Sequence, residues 1–276
     1  MNAIQAILIA ILQGATELFP VSSLGHAVVL PALLRSGIDQ RSAAFLPFVV
    51  MLHLGTAIAL LCFFWRDWWT LFLGCIGKSE PLMVKESRRV TLLIVIATIP
   101  AAILGFFLER YIRDLFASPV IAASFLVVNG LLLLSGERLR GRGQRELWTL
   151  TPFDALCIGL WQCTALIPGI SRSGATIVGA VLRGINHEGA AHFSFLIATP
   201  IIFGATLHQA PKLLRADIPP GTLLIASLAA VVAGITAWLS TWFLMRYFRD
   251  HSDWALSPFA AYCIVVGLGS LAILVL

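Results

Sequence analysis

Two polar segments interrupt a largely apolar sequence, and they carry the side chains best suited to chemistry. The first runs Thr16-Glu-Leu-Phe-Pro-Val-Ser-Ser-Leu-Gly-His26, and the second runs Thr164-Ala-Leu-Ile-Pro-Gly-Ile-Ser-Arg-Ser-Gly-Ala-Thr176. One fixed offset aligns four residues of the first segment with four of the second: Thr16, Leu18, Pro20 and Ser23 with Thr164, Leu166, Pro168 and Ser171. Ionisable groups are costly at membrane depth, so a carboxylate, an imidazole and a guanidinium in such surroundings indicate a functional site.

The first segment brings a carboxylate and hydroxyl groups to a break between two helices. Gln13 and Glu17 are four residues apart and therefore share one helix face. Pro20 disfavours helix at the residue before it, which ends the first helix. Either Ser22 or Ser23 can then cap the next helix. The spacing predicts a metal ligand at Glu17, with Gln13 as the second candidate.

The second segment has the composition of an anion-binding helix N-terminus. Pro168 and Gly169 form a turn, and Ser171 is a natural N-cap for the helix that follows. Backbone amides at that end attract anions, and the helix dipole strengthens the attraction. Arg172 adds a fork of donors that matches phosphate oxygens. Hydroxyls and a further glycine surround it, namely Ser173, Gly174 and Thr176, and together they predict a phosphoryl ligand.

Together the two segments supply what phosphoryl transfer requires. Arg172 neutralises charge, Glu17 suits Mg²⁺ or Ca²⁺ shared with pyrophosphate oxygens, and Ser23 and His26 form a nucleophile or acid–base pair. The spacing leaves the attacking residue open. Ser23 with His26 as its base is favoured, and a phosphohistidine at His26 is the alternative. A site reached from the bilayer implies a lipid substrate.

These residues resemble the motifs of the bacterial undecaprenyl-pyrophosphate phosphatase family, the bacitracin-resistance type. The matching patterns are Gln-x-x-x-Glu, Pro-Val-Ser-Ser-x-Gly-His and Pro-Gly-x-Ser-Arg-Ser-Gly-x-Thr, and the similarity covers essentially the whole chain. The resemblance implies hydrolysis of undecaprenyl pyrophosphate to the monophosphate and phosphate, which recycles the carrier lipid for peptidoglycan synthesis and confers bacitracin resistance. It also implies dependence on a divalent metal and an active site that opens to the periplasmic side of the bacterial inner membrane.

The resemblance also assigns roles by position. It implies that Glu17 is the essential acid, that Ser23 and His26 are the catalytic pair, and that Arg172 binds phosphate. Position 13 is Gln where many members of the family have Glu, so weaker metal binding is expected. The candidates for contact with the substrate are Ser22, Gly169, Ser171, Ser173, Gly174 and Thr176.

Composition identifies the class of protein. With 59% hydrophobic residues, 12% charged residues and a mean hydropathy of +0.91, the chain is an integral membrane protein. Its 276 residues contain no linker, which predicts a single membrane domain, 1–276. The net charge of +5 comes from short basic loops, as the positive-inside rule describes, and this excludes nucleic-acid binding. The five cysteines form no CxxC pair, so we expect neither a disulfide framework nor a zinc site.

The apolar pattern predicts an all-α polytopic fold with two interrupted elements. Segments 2–34 and 152–182 contain Pro, Gly and the polar motifs. Irregular backbone is tolerated in a membrane only where protein or water satisfies it, so both segments are predicted to be re-entrant helix–loop–helix elements. Six runs are long enough to span the bilayer at about 20 residues each, namely 45–65, 90–108, 120–136, 190–209, 222–247 and 258–276.

Each half of the chain thus has one re-entrant element followed by three spans. Because three is odd, the second half is inserted upside down, which predicts an inverted-topology repeat of roughly 1–136 and 152–276 whose polar segments meet near the bilayer midplane. Basic loops at 66–89 and 138–145 should be cytoplasmic, with both termini outside.

Three further polar residues in the predicted spans and broken elements receive structural expectations. Asn129 should bond across helices to a broken segment, because amides in membrane spans find partners on neighbouring helices. Gln162 should pair with backbone freed near Pro168, and His53 should be a buried hydrogen-bonding residue.

Two other functions compete with this one. The type-2 phosphatidic-acid phosphatases also combine short Ser-Gly-His-like and Arg elements, but they need a histidine about six residues after the Ser-Arg pair, and none follows here. A flippase for a polyprenyl phosphate would also use an inverted repeat with an anion site. The presence of Ser23, His26 and Arg172 together favours chemistry over transport. The sequence leaves open the prenyl chain length, the metal and the oligomeric state, including a homodimer.

Overall fold

A computed structural model describes residues 3–34, 45–115, 118–140, 145–215, 221–251 and 253–275. Over these residues the chain folds into eleven α-helices and one 3-10 turn, which confirms the predicted all-α class. The helices are α1 (Ala3–Thr16), α2 (Ser23–Leu33), α3 (Phe45–Phe63), α4 (Trp65–Cys75), α5 (Pro81–Leu115), α6 (Pro119–Leu139), α7 (Pro152–Thr164), α8 (Arg172–Leu182), α9 (His187–Arg215), α10 (Thr222–Asp250) and α11 (Ser257–Val275), and the 3-10 turn is Leu147–Thr149.

Six helical segments correspond to the predicted spans. Helices α5, α6, α9, α10 and α11 each contain a stretch that is long and apolar enough to cross a bilayer. The sixth is the pair of α3 and α4, which meet at a bend of 73°. The prediction of six spans is confirmed when this bent pair counts as one. Helix α5 begins at Pro81 rather than at 90, because hydropathy marks the apolar part of a helix and not its polar first turns.

The predicted basic loop 66–89 is largely helical: Arg66 lies in α4, Lys85 and Arg89 lie at the start of α5, and only residues 76–80 connect the two helices. Helix α4 exposes Trp65, Trp69 and Phe72, while Leu71 and Gly74 are buried against the protein. An amphipathic helix with aromatic residues on its outer face is typical of one that lies in the membrane interface.

Both interrupted elements have the predicted helix–loop–helix form. Helices α1 and α7 end at Thr16 and Thr164, which are the residues that align in the sequence. The following helices are capped by Ser22 and Ser171, whose hydroxyls accept hydrogen bonds from the amides three residues on, at 3.2 and 3.1 Å. Helices of 14, 11, 13 and 11 residues are too short to cross a bilayer alone.

Close contacts through glycine hold α1 and α3 against α10. A Cβ atom on Gly14 would collide with the backbone of Ala233, and one on Gly55 with the backbone of Ala230. Small residues allow such close approach, which strengthens packing between membrane helices. The shared contact with α10 sets α1 beside α3 at the level of His53.

A buried carboxylate fixes the end of α6. Glu137 accepts hydrogen bonds from His187 Nε2 at 3.1 Å and from the backbone amides of Trp254 and Leu256 at 3.0 and 2.9 Å. Its other neighbour is Arg140, whose Nε lies 2.9 Å away. The loop between α10 and α11 is therefore joined to α6 and to the start of α9.

A second buried carboxylate, Asp154, lies in the first turn of α7. It accepts hydrogen bonds from Arg145 Nη2 at 2.8 Å, from Arg183 Nε at 2.6 Å and from the amide of Thr151 at 3.0 Å. Burial alone would raise the pKa of this carboxyl, but the hydrogen bonds from the two guanidiniums and Thr151 outweigh burial and hold the pKa well below its usual range. The carboxylate therefore anchors both ends of the second interrupted element.

The order of elements follows the predicted halves. Helices α1 and α2 precede α3 to α6, and α7 and α8 precede α9 to α11. The inverted relation between the halves and the single membrane domain remain predictions.

Candidate active site

The two interruptions lie against each other. A Cβ atom on Gly25 would lie 3.2 Å from Cα of Gly169, so the loops meet at their glycines. The hydroxyl of Ser173 donates to the carbonyl of Phe19 at 3.0 Å, and that of Ser171 to the same carbonyl at 3.4 Å. The polar segments are therefore brought together as predicted.

Asn129 of α6 joins both interruptions through one amide. Its Nδ2 donates to the carbonyl of Pro20 at 3.0 Å, and its Oδ1 accepts from the backbone amide of Ser171 at 3.0 Å. The residue is fully buried. The prediction that Asn129 bonds across helices to a broken segment is confirmed, and the structure adds that it satisfies both segments at once.

Glu17 is the centre of the polar cluster. Its Oε2 accepts hydrogen bonds from Ser23 Oγ at 2.7 Å and from Gln13 Nε2 at 3.0 Å. Its Oε1 accepts from Arg172 Nη2 at 3.3 Å, which is also an ion pair. Three other predicted site residues, drawn from both halves of the chain, therefore bind the carboxylate of Glu17.

Arg172 is held at the first turn of α8 with donor capacity to spare. Its Nη2 contacts Glu17, and its Nη1 donates to the carbonyl of Ser194 at 3.4 Å. The Nε atom is buried and has no hydrogen-bond partner among the described residues. A buried N–H group without a partner is costly, so this donor fits a ligand that supplies an acceptor. The guanidinium can hold a phosphate oxygen next to the helix N-terminus.

Ser23 and His26 do not form the expected pair. Ser23 donates to Glu17, whereas His26 Nδ1 lies 2.7 Å from the carbonyl of Ser22 and Nε2 lies 2.9 Å from the hydroxyl of Tyr262. The favoured interpretation of His26 as the base for Ser23 is not what the structure shows. The reason is local: Ser22 caps α2, so Ser23 turns towards Glu17 and the imidazole turns back onto the carbonyl of the cap residue.

Two residues outside the motifs enter the site. Tyr262, on α11, meets His26 with nearly parallel rings, at 14° and a centroid distance of 5.7 Å. His53, on α3, has Nε2 3.7 Å from Glu17 Oε2, while its Nδ1 donates to the carbonyl of Val49 at 2.9 Å.

The sequence indicated neither role. His53 was expected to be buried, yet 29% of its side chain is exposed. Its only signal was an imidazole within an apolar run, and Tyr262 gave no signal beyond a polar atom in a predicted span.

The hydroxyls predicted to contact substrate are bonded within the protein. Thr176 Oγ1 donates to the carbonyl of Arg172 at 2.8 Å and contacts Ser194 Oγ at 2.6 Å. The same holds for the buried side chains of Ser22, Ser171 and Ser173. These groups shape the helix ends around the site, and their contact with substrate remains a prediction.

The predicted glycines fit where a side chain would not. Gly169 has φ +100°, a conformation that favours glycine, and a Cβ there would collide with the carbonyl of Ala122. A Cβ on Gly174 would lie 3.3 Å from the carbonyl of Pro20. Gly169 thus allows the second interruption to approach α6, and Gly174 allows it to approach the first interruption.

The expectation for Gln162 is wrong. Its Nε2 donates to the carbonyl of Ala97 on α5 at 3.1 Å rather than to backbone near Pro168. Helix α7 approaches α5 closely at Gly159, where a Cβ would lie 2.7 Å from the same carbonyl. The side-chain amide of Gln162 therefore lies against α5, where the carbonyl of Ala97 is within hydrogen-bonding distance.

The donor set around Glu17 allows only sparse metal ligation by the protein. Among the described residues, no three His, Cys, Asp or Glu side chains come together as a metal site. A single carboxylate still fits Mg²⁺, which is commonly held by one or two carboxylates while phosphates and water supply the other ligands. Gln13, whose amide group contacts Glu17 Oε2 through Nε2 at 3.0 Å, is the second candidate ligand that the sequence indicated.

Comparison with known proteins gives a consistent result along the chain. The family model described as "Bacitracin resistance protein BacA" matches residues 6–269. An undecaprenyl-diphosphatase from Granulibacter bethesdensis is 65% identical, covering 99% of this chain and 97% of its own length. Proteins of the same name from Acidiphilium cryptum and Gluconobacter oxydans are 56% and 46% identical, with 99% and 100% of both chains covered. These similarities do not support the flippase alternative.

Proposed function

The chain belongs to the BacA family of bacitracin resistance proteins, and we propose that it hydrolyses undecaprenyl pyrophosphate to undecaprenyl phosphate and inorganic phosphate. The similar proteins described above carry the name of this activity. The observation that carries the proposal is the contact of Arg172 with Glu17, at 3.3 Å, where the two interruptions meet. The guanidinium of Arg172, which has an unpaired N–H, the carboxylate of Glu17 and the hydroxyl of Ser23 converge there, as pyrophosphate cleavage requires.

Arg172 binds the pyrophosphate in this mechanism. The substrate approaches the N-terminus of α8, where the helix dipole and the guanidinium both favour its negative charge. The Nε–H of Arg172, which lacks a protein partner, donates to a phosphate oxygen. This contact strengthens as charge builds up on the phosphoryl oxygens in the transition state.

Ser23 attacks the terminal phosphorus, and Glu17 takes its proton. The 2.7 Å hydrogen bond already points the hydroxyl proton at Oε2. The new O–P bond forms as the anhydride P–O bond breaks and undecaprenyl phosphate leaves. Water then attacks the phosphoserine and releases phosphate. His26 is the alternative nucleophile, and it would act through Nε2 because Nδ1 is held by the carbonyl of Ser22.

A divalent cation, Mg²⁺ or Ca²⁺, forms part of the proposal. Glu17 would hold it, with Gln13 as the second protein donor, and the pyrophosphate would complete the coordination. When bound, the cation neutralises charge on the pyrophosphate. The residues themselves still orient the hydroxyl and the terminal phosphate.

The multi-pass fold places this activity in a membrane. We assign it to the bacterial cytoplasmic membrane, with the site open to the periplasmic side, so that the released carrier lipid returns to peptidoglycan synthesis. Removal of the pyrophosphate form also accounts for bacitracin resistance.

The test is phosphate release from a long-chain prenyl pyrophosphate by detergent-purified protein. We expect release in Mg²⁺ and its loss in a chelator. Arg172→Ala should lower turnover by roughly 10²–10³-fold, the usual cost of removing a transition-state donor. Arg138→Ala, at an exposed arginine of α6, is the matched control and should leave turnover unchanged. Failure of the wild-type protein to release phosphate, or full activity in Arg172→Ala, would overturn the proposal.

A further inference from the structure

The hydrogen bonds of His26 determine which ring nitrogen carries a proton. Nδ1 lies 2.7 Å from the carbonyl of Ser22, and a carbonyl can only accept, so Nδ1 carries the hydrogen. In the neutral ring, Nε2 therefore has a lone pair, and the Tyr262 hydroxyl 2.9 Å away donates to it. Nε2 is the only atom of His26 that can exchange a proton with substrate, and Tyr262 occupies it.

Tyr262 is held in register with the meeting point of the two interruptions. The next residue, Cys263, is fully buried and accepts a hydrogen bond from Asn129 Nδ2 at 3.4 Å. The same Nδ2 donates to Pro20 in the first interruption. Asn129, which joins the two interruptions, thus also fixes the position of α11 along its axis relative to them. The hydroxyl of Tyr262 is positioned with the helix.

The outer part of Tyr262 is free to respond to a ligand. Its side chain is 44% exposed, whereas the side chain of His26 is 7% exposed. The imidazole is thus enclosed by protein, and the phenol lies at the edge of the cluster. A substrate that enters the site can displace the hydroxyl from Nε2 without unpacking the core.

We propose that Tyr262 is a positioning residue for His26. In the free protein the Tyr262 hydroxyl holds Nε2 of His26 towards the site. When substrate binds, the same hydroxyl donates its hydrogen bond to a phosphate oxygen instead. This inference rests on the proposed phosphatase function. No covalent step is added: one hydrogen bond to Nε2 is exchanged for one to the substrate. The stacked rings explain why an aromatic residue suits the position, and the hydroxyl supplies the specific contact.

Tyr262→Phe tests the hydroxyl alone, because the ring and its stacking are retained. We expect kcat to fall about tenfold with KM within about twofold, an effect on activity like that of removing the hydrogen-bond partner that orients a metal-ligating histidine. Nitrogen NMR of ¹⁵N-histidine-labelled protein should show the Nε2 signal of His26 shifted, while the Nδ1-protonated tautomer is retained. The control is Tyr247→Phe, whose hydroxyl donates to the carbonyl of Ala255 rather than to His26, and both readouts should be unchanged.

Wild-type kcat together with an unmoved Nε2 signal in Tyr262→Phe would overturn the inference. Thermal unfolding of each variant verifies that the protein is folded. Absence of phosphate release from the wild-type protein, with a shifted His26 signal in Tyr262→Phe, would overturn the proposed function while supporting the contact. The two failures are therefore distinguishable.

Discussion

Oε2 of Glu17 accepts hydrogen bonds from two residues of its own interrupted element, and these bonds determine which group can give a proton to the carboxylate. Ser23 and Gln13 both donate to it, at 2.7 and 3.0 Å. Arg172 binds the opposite oxygen, so the carboxylate is charged and oriented before substrate arrives. A carboxylate of this kind can accept the proton of Ser23 without rearrangement. His26 is not one of these donors, and its Nε2 contacts the hydroxyl of Tyr262 instead.

Gln13→Glu should increase the affinity of the site for a divalent cation. The change replaces a hydrogen-bond donor 3.0 Å from Glu17 with a second carboxylate. Two like charges at this distance repel each other, and a bound cation relieves the repulsion. We expect both the binding isotherm for Mg²⁺ or Ca²⁺ and the metal titration of activity to move to lower concentrations. A titration that does not move would show that position 13 is not a ligand. Glu17→Gln should abolish metal binding.

At the scale of elements, each interruption separates two short helices. Backbone N–H and C=O groups at the helix ends beside it have no partner within a helix and need one elsewhere. Serine caps satisfy part of this need within each element. Asn129 supplies the rest from α6, because one amide both donates and accepts. The interruptions are therefore stabilised by a third element, and the active site depends on the placement of α6.

Asn129→Ala should destabilise the protein and lower its activity together. The carbonyl of Pro20 and the amide of Ser171 would both lose a partner in a fully buried place, at about 1–3 kcal/mol each. Thermal unfolding in detergent and turnover of the folded fraction measure the two effects. Ser124→Ala, on the exposed side of α6, is the control and should behave as wild type. Wild-type stability and turnover in Asn129→Ala would show that the bridge is dispensable.

At the scale of the whole molecule, one end of the bundle carries buried acids and many of the arginines. Asp154 and Glu137 neutralise three of the basic residues in this region, Arg145, Arg183 and Arg140. Further basic residues lie in the helix ends near these connections, among them Lys85, Arg88 and Arg89 at the start of α5. By the positive-inside rule we expect this end to face the cytoplasm and the opposite end to face the periplasm.

Labelling of single cysteines tests this orientation. In a chain whose five native cysteines have been replaced, Lys78→Cys should react with a membrane-impermeant maleimide only after the inner face is opened. Thr222→Cys, at the start of α10, should react in intact cells or spheroplasts. The reverse pattern would show that the chain is inserted the other way, and a site open to the periplasm would then be wrong.

The sequence by itself determined the membrane class, the six spans, the two interruptions and the residues that meet there. These properties follow from local signals: hydropathy over about 20 residues, proline after a helix, and serine at a helix start. Tertiary structure decided the partners. Which of two adjacent serines caps α2 set Ser23 on Glu17 instead of His26, a difference of one residue that spacing does not resolve. His53 and Tyr262 reach the site from α3 and α11, and only the packing of helices distant in sequence brings their side chains to Glu17 and His26.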